Sequence, residues 1–514
     1  MKNVKRIVAL MLILVMVMPL AACSGKKKGK GSSNGGKEVE IAYWHAGMGI
    51  DWLEAMVEEF NSSQSEWNVT FRESAIKNSL TSALGMEDID TTDLYIAGQT
   101  YDVDLMEPLD DILDCTAEGD KKTIREKLNE NYLSVASASD GKLYALSAGS
   151  SLYGIVYNRE LFKKAGITTL PRTSDELVVA CDKLKEKDIT PWAIFGPWAY
   201  WDFFAEAWQS QYDGYSYYLN NFHGCMDING VSPAKEVLTN KDGRWAAVRA
   251  MEKLITPEYV PDGAAAEDHI TMQTKFLNTE IGMMVNGNWL TKEMEEVGST
   301  DNFGLMKTPV ISEITEKLTT VSDDDTLRAV IDAVDEVVED ESKISKYKSG
   351  DEYVVDGMTI SDIDWERIME ARTTSPVAFS TAFIPKYSDA IDGAKEFLKF
   401  LWSDKGMEIF MKHTHMSMPL EFSDGREVDT TGWNQLEIES DKVLRDTVYY
   451  ATNTMMNRHP IFRVGGASSY MGASIPAMFY SKNPADRKTA EEAWDEMMKN
   501  LELHYENNWL FNIK

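Results

Sequence analysis

An α/β protein, with a sheet fed by alternating strands and helices, is the fold that this chain predicts, and three observations carry the prediction. Val39–Trp44 alternates strand formers and is followed by Trp52–Phe60, where apolar side chains recur at helical spacing. The same grammar returns downstream, with Val69–Phe71 as a strand and Asp93–Gly98 as a buried strand closed by a glycine. Finally, 514 residues at 43% hydrophobic composition can bury a large core and predict two or more domains. Strands alternating with helices form sheets whose ligands sit off the carboxyl ends of the strands.

The elements follow in order. Lys2, Lys5 and Arg6 precede an apolar run from Ile7 to Leu20, and Ala21 and Ala22 then lead to Cys23. That is the layout of a secretion signal over 1–22, and its apolar run is shorter than the roughly twenty residues a membrane-crossing helix needs. Leu20-Ala21-Ala22-Cys23 resembles the lipobox of bacterial lipoproteins, which implies cleavage before Cys23 and a diacylglycerol on its sulfur. Residues 23–37 then read as a flexible tether of Gly, Ser, Asn and Lys. Leu105–Leu113 reads as a loop and short helix, and Lys142–Ile167 as two apolar strands split by small residues that permit a bend. Further on come a helix over Ser174–Lys187 with a serine cap, helical spacing over Trp245–Ile255, a strand at Ile281–Val285, a helix over Ala390–Trp402 and a last helix over Ala490–Tyr505. Between 311 and 375 acidic residues dominate, and Leu327–Val338 fits one amphipathic helix; the segment reads equally as an inserted subdomain or a solvated connection.

The formal charge of −31, less three leader cations and five tether lysines, leaves −39 on the body. So acidic a body argues against nucleic acid or an anionic membrane surface as partner. Beyond Cys23 only Cys115, Cys181 and Cys225 remain, with no metal-type spacing; one disulfide is permitted and no framework is implied.

Three blocks share a resemblance. Tyr144–Ile167, the stretch Lys275–Trp289 ending in Val-Asn-Gly-Asn-Trp, and Phe383–Asp389 followed by Ala394–Gly406 resemble, in order, the family 1 extracellular solute-binding proteins of carbohydrate importers, the group that includes maltose-binding protein. The resemblance implies a two-lobed periplasmic-binding-protein-like fold of type II, a hinge crossed more than once, and a ligand cleft between the lobes. On that pattern one lobe takes 38–147 and 376–421, the other 152–310 and 430–514, with 311–375 as an acidic insertion near a hinge crossing. It further implies a lipid-anchored protein on the extracytoplasmic face of the cell membrane, acting as a monomer without a cofactor. Its partners would be a carbohydrate and the transmembrane subunits of an ABC permease.

A sugar site needs flat aromatic platforms and side chains that both donate and accept hydrogen bonds. Trp192–Phe222 is dense in aromatic residues, most of them expected in the core; Trp198 and Trp201, just after Gly196-Pro197, are the favoured platforms there. By resemblance Trp289 lies at the cleft, with Asn286 and Asn288 either binding hydroxyls or serving the turn that Asn-Gly favours. Trp44, His45 and Gln99 sit at carboxyl ends of strands, Tyr153 lies beside the hinge, and Tyr470 follows a Gly-Gly-Ala-Ser-Ser run. No nucleophile elbow, phosphate loop, zinc motif or calcium-loop spacing is present. Two alternatives stay open: the same fold binding a peptide or polyamine, and a surface-anchored glycosidase, which needs only two carboxylates at a set separation.

Overall fold

The structure is a computed structural model that describes residues 35–45, 47–73, 92–97, 103–196, 200–225, 235–278, 280–452, 455–456, 458–459 and 475–504. Cys23, Gln99, Trp198 and Tyr470 lie outside the described residues.

One sheet dominates. Its strands are β1 (Lys37–Tyr43), β2 (Trp67–Glu73), β3 (Leu94–Ala97), β4 (Leu146–Asn158), β5 (Thr190–Ala193), β6 (Ile281–Gly287), β7 (Phe303–Met306), β11 (Thr374–Phe383) and β12 (Tyr449–Ala451). The order is β2-β1-β3-β11-β4-β6-β5, with β12 beside β11 and β7 beside β4. β1 runs parallel to β2 and β3, and β5 parallel to β6, as strands do when helices connect them. The two long strands in the middle, β4 and β11, join the two ends; they run antiparallel to each other and to β3, β6 and β7, and β11 runs parallel to β12. Leu146–Leu152 of β4 pairs with β11, whereas Tyr153–Asn158 pairs with β6 and β7. β11 in turn pairs with β12 through Thr374–Pro376, with β4 through Val377–Ala382 and with β3 through Thr381–Phe383, and its register shifts at Ser380/Thr381.

β4 corrects one expectation: the stretch read as two strands split by small residues is a single strand of 13 residues. Its glycines admit neighbours rather than bends. A Cβ on Gly149 would stand 2.7 Å from the Phe410 ring, and one on Gly154 2.8 Å from Leu305.

The longer helices are α1 (Asp51–Ser63), α2 (Ser174–Lys185), α3 (Trp201–Asp213), α4 (Gly243–Leu254), α5 (His269–Asn278), α6 (Asp324–Glu339), α7 (Asp362–Arg372), α8 (Ile391–Leu401), α9 (Asp404–Thr414), α10 (Gln435–Asp446) and α11 (Ala490–His504). α1 buries Trp52, Leu53, Met56, Val57 and Phe60, the stripe that its sequence spacing predicts. The cap of α2 is Thr173 rather than the expected serine: its hydroxyl accepts the Glu176 N–H at 3.2 Å, and Ser174 is already helical.

Between 311 and 375 lies a small unit of α6, α7 and a second sheet, while Thr374 and Ser375 already belong to β11 of the main sheet. α6, capped by Asp323, buries Leu327, Val330, Ile331, Val334 and Val337. An antiparallel sheet of β8 (Lys348–Ser349), β9 (Glu352–Val355) and β10 (Met358–Ser361) follows, and Tyr353 stacks on Trp365 of α7 with centroids 4.1 Å apart. The unit is fastened to α2 and α3: Arg328 meets Glu176 at 3.4 Å, and Arg367 donates to the carbonyls of Gln211 and Tyr212 at 2.8 and 3.1 Å. Among the described residues, Cys115 and Cys181 are free thiols. No helix among the described residues is long and apolar enough to cross a membrane.

Candidate functional site

Where the two ends of the sheet meet, four rings come together. β6 ends at Gly287, and Asn288 and Trp289 turn the chain into the short helix Leu290–Met294. Across the sheet Tyr153, the first β4 residue to pair with β6, faces Gly287. Tyr153 stacks on Phe203 of α3 with centroids 3.6 Å apart and planes 11° from parallel, and meets Trp289 edge-on at 4.7 Å. Tyr200 closes the group at 5.6 Å from Tyr153 and 5.7 Å from Trp289.

Backbone shape makes this cluster possible. A Cβ on Gly287 would lie 1.9 Å from the Trp289 ring, so the indole rests directly on the bare strand. Tyr200, at the start of α3, has φ +64°, a conformation that costs a bulky residue about 1–3 kcal/mol and is retained where surrounding structure demands it. Asn288 holds the floor: its amide nitrogen donates to the Ser150 carbonyl at 3.0 Å and its oxygen accepts the Leu152 N–H at 3.1 Å. Both ends of that side chain are therefore engaged by β4. Asn286 is fully buried, and its oxygen accepts the Gly287 N–H at 2.8 Å.

The loop after β1 approaches from the other end of the sheet. Gly47, at φ +83°, passes so close that an added Cβ would be 3.0 Å from the Trp289 Cβ. Two residues on, the Gly49 carbonyl accepts the Tyr43 hydroxyl at 2.6 Å, and that hydroxyl accepts the Trp52 indole N–H at 2.8 Å. Lys292, one turn past Trp289, meets Asp51 at the start of α1 at 3.1 Å.

Two acids act on Tyr200 besides its burial: Glu293 of the Leu290–Met294 helix and Asp202, in the first turn of α3 between Trp201 and Phe203. The Asp202 Oδ1 is shielded from solvent and has no hydrogen-bond partner. Burial, reinforced by the negative charge of Glu206 one turn on, pushes its carboxyl up to about 7. Glu206 is buried too, but the Tyr218 hydroxyl donates to it at 2.8 Å, and the charge of Arg458 opposes the upward shift that burial causes.

Of the residues singled out from sequence, Tyr153 and Trp289 are brought together. Trp201 is not with them. It is fully buried on the opposite side of α3, edge-on to Trp192 at 5.1 Å and tilted against Trp208 at 6.3 Å. Trp44 is half-buried at the end of β1, its N–H on the Ile96 carbonyl, and packs against the cluster of Ala42, Tyr95 and Phe383. His45 is exposed, 3.3 Å from Glu73. Tyr200, Phe203, Asp202 and Gly47 were not singled out; Asp202 alone carried a signal, a lone acid inside an aromatic run.

The family model for bacterial extracellular solute-binding proteins matches residues 47–314, more than half of the chain. The chain belongs to that family. A protein of Brucella abortus (strain 2308) named as a binding protein is 26% identical over 224 residues, 42% of this chain and 49% of its own length, so the chain spans about half the length of such curated relatives. Among solved structures, a bacterial solute receptor described as preferring β-D-galactopyranose superposes with a TM-score of 0.59 at 13% identity, covering 91% of this chain and 99% of its own. A maltose-bound protein of T. maritima gives 0.58 at 14%, covering 91% and 99%. These likenesses show the fold, that of a two-lobed solute-binding protein, in which β4 and β11 are the strands that join the two parts of the sheet.

Proposed function

We propose that this solute-binding protein captures a carbohydrate in the cleft between its lobes and delivers it to the transmembrane subunits of an ABC importer. The observation that carries the proposal is the ring cluster of Tyr153, Tyr200, Phe203 and Trp289 at the junction of the two sheet ends. Aromatic faces match the apolar C–H faces of a sugar, and such rings are worth more when the ligand they hold is shielded from water. The ligands named for the two structural neighbours, a galactopyranose and maltose, support the same class. The lobes are assigned as 38–147 with 376–421 and 152–310 with 430–514, and 311–375 is an insertion carried by the second. Cys23 is proposed as the lipid-bearing residue and 23–37 as the leash that leaves the body free on the extracytoplasmic face. Ligand bridging the lobes shifts an open-closed equilibrium toward the closed form, and that form is what the membrane subunits recognise.

A thermal-shift screen against mono- and oligosaccharides, with peptides and polyamines as controls, tests the proposal. A ligand at a hundred times its Kd stabilises the folded state by about 2.7 kcal/mol, an ample shift to detect. One sugar class raising Tm and recovered intact is the expected result. Shifts from a peptide or polyamine with silence from every sugar would overturn the carbohydrate assignment, and release of reducing ends would point to a glycosidase.

A further inference from the structure

β4 and β11 carry the chain between the two ends of the sheet, and residues 415–434 make a further crossing from α9 to α10. α9 belongs to the β1 end, where its Phe410 meets Trp52 of α1 edge-on at 5.1 Å. α10 belongs to the β7 end: Glu439 accepts the Leu305 N–H at 2.8 Å, and Asn434, which caps the helix, donates to the Thr300 hydroxyl at 3.1 Å. Near the start of the crossing, the Ser417 carbonyl accepts the Ser150 N–H of β4 at 3.4 Å.

Two sets of side-chain contacts close over this crossing. His415 ends α9 at φ +53°, a left-handed backbone that a non-glycine residue keeps where surrounding contacts demand it. Its Nδ1 is hydrogen-bonded to the Glu437 Oε2 at 2.9 Å, and its ring stacks on Trp433 with centroids 5.3 Å apart and planes 21° from parallel. Glu437 is buried, and the same oxygen accepts the Asn434 N–H at 2.7 Å, so the cap of α10 fixes the carboxylate that His415 meets. Two residues past His415, the buried Ser417 hydroxyl donates to Asp441, which also pairs with Arg445 at 2.9 Å. Beside these contacts the packing opens. Met418, Leu420 and Phe422 of the crossing, with Leu444 and Tyr450 beyond it, line a crevice of about 340 Å³.

We propose that the His415–Glu437 bond, the His415–Trp433 stack and the Ser417–Asp441 bond form a latch on the hinge, which slows the opening of the clamp and so lengthens the stay of its ligand. Each contact joins an element packed at one end of the sheet to an element packed at the other, so rotation of the ends must break it or slide it. A hydrogen bond of 2.9 Å is lost once it is stretched by about an ångström, and the crevice leaves α10 room to move that far. The latch therefore favours the arrangement described here, in which the loop after β1 rests on Trp289. The inference rests on the proposed clamp and adds the device that sets how readily it opens.

Stopped-flow fluorescence and small-angle scattering of the purified chain and its His415→Asn, Glu437→Gln and doubly substituted variants, with maltotriose, chitotriose and xylotriose as probes, provide the test. Asparagine tolerates the left-handed backbone at position 415, and glutamine keeps the capping box of α10, so both variants should fold. For a probe that the unmodified chain binds, each single variant should release it about fivefold faster, at the low end of the couplings that link one site to another. The double variant should release it no faster than either alone, because both substitutions remove one contact. The empty variants should also scatter with a larger radius of gyration. A merely structural role would lower Tm while leaving the release rate and the radius of the folded chain unchanged, and that result would overturn the latch and leave the carbohydrate function standing. Larger radii with no probe bound would keep the latch and overturn the carbohydrate assignment. Unchanged radii with no probe bound would overturn both.

Discussion

Two aromatic clusters lie on opposite sides of α3, built from neighbouring residues of one sequence run. Trp201, Phe204 and Trp208, with Trp192 of β5, are fully buried and pack edge-on or tilted, 5.1 to 6.3 Å apart. Tyr200 and Phe203, with Tyr153 and Trp289, gather where the two ends of the sheet meet. Composition hardly separates the two groups; helical phase does. A shift of one residue carries a ring 100° around the helix, from core to junction. What fixes the phase is the start of α3 after the left-handed Tyr200. The first cluster should therefore govern stability and the second ligand affinity.

The largest effect expected is on the core side. Trp208 is fully buried and its indole N–H donates to the Pro309 carbonyl at 3.1 Å. The Trp208→Ala variant should lose about 3–5 kcal/mol of stability, measured by urea unfolding, with little change in ligand affinity once folded. Trp289→Ala should show the reverse: a loss of about 1–4 kcal/mol in binding, the range for a central aromatic anchor, with a smaller change in Tm. If both variants lose stability alike and neither loses affinity, the two clusters are one core and the division fails.

That division also marks how far the sequence was legible. β1, α1, β2 and β6 follow from local pattern: strand formers in β1 and β2, one buried stripe in α1, and an apolar run in β6 that is buried along its whole length. β4 did not, since the small residues around Gly149 read as a bend when Gly149 is a close contact, and nothing local reports a partner more than a hundred residues away. Trp201 drew attention through its place after Gly196-Pro197, yet Tyr200 and Phe203 are the residues at the junction; telling them apart requires the helix phase, which tertiary packing sets. Asn288 was legible as a turn residue but not as the clamp on β4. Asp202 is one of 83 acidic residues, and nothing in the local sequence reports the burial that raises its carboxyl.

A smaller effect should appear in the pH dependence of the empty protein. The folded-state carboxyl of Asp202 sits at about 7, above its unfolded value, so between about pH 4 and 7 the folded chain holds a proton that the unfolded chain has released. Its contribution therefore lowers stability as pH rises through that window and is fully unfavourable above it. Because the side chain is only partly buried, about 2 kcal/mol is expected rather than the full shift. Asp202→Asn should melt higher than the unmodified chain at pH 8 and match it near pH 4. Identical melting curves at both values would mean that the carboxyl is well solvated.

The smallest effect concerns how the two ends of the sheet touch. Lys292, beside Trp289, reaches Asp51 at 3.1 Å and Glu295 at 3.0 Å, while Gly49 leaves room for its chain: a Cβ there would stand 2.7 Å from the lysine Cε. Asp51 is more than half exposed, so the pair is worth no more than about 1 kcal/mol and fades with salt. Small as that is, under the proposed closure it would bias the open-closed balance, to which apparent affinity is linked. Lys292→Ala should weaken ligand binding by up to about fivefold in dilute buffer and by nothing at 1 M salt, with Tm nearly unchanged. A loss that persisted at high salt would mean that Lys292 acts through its aliphatic stem packed on Gly49, and the pairing of charge would then be incidental to closure.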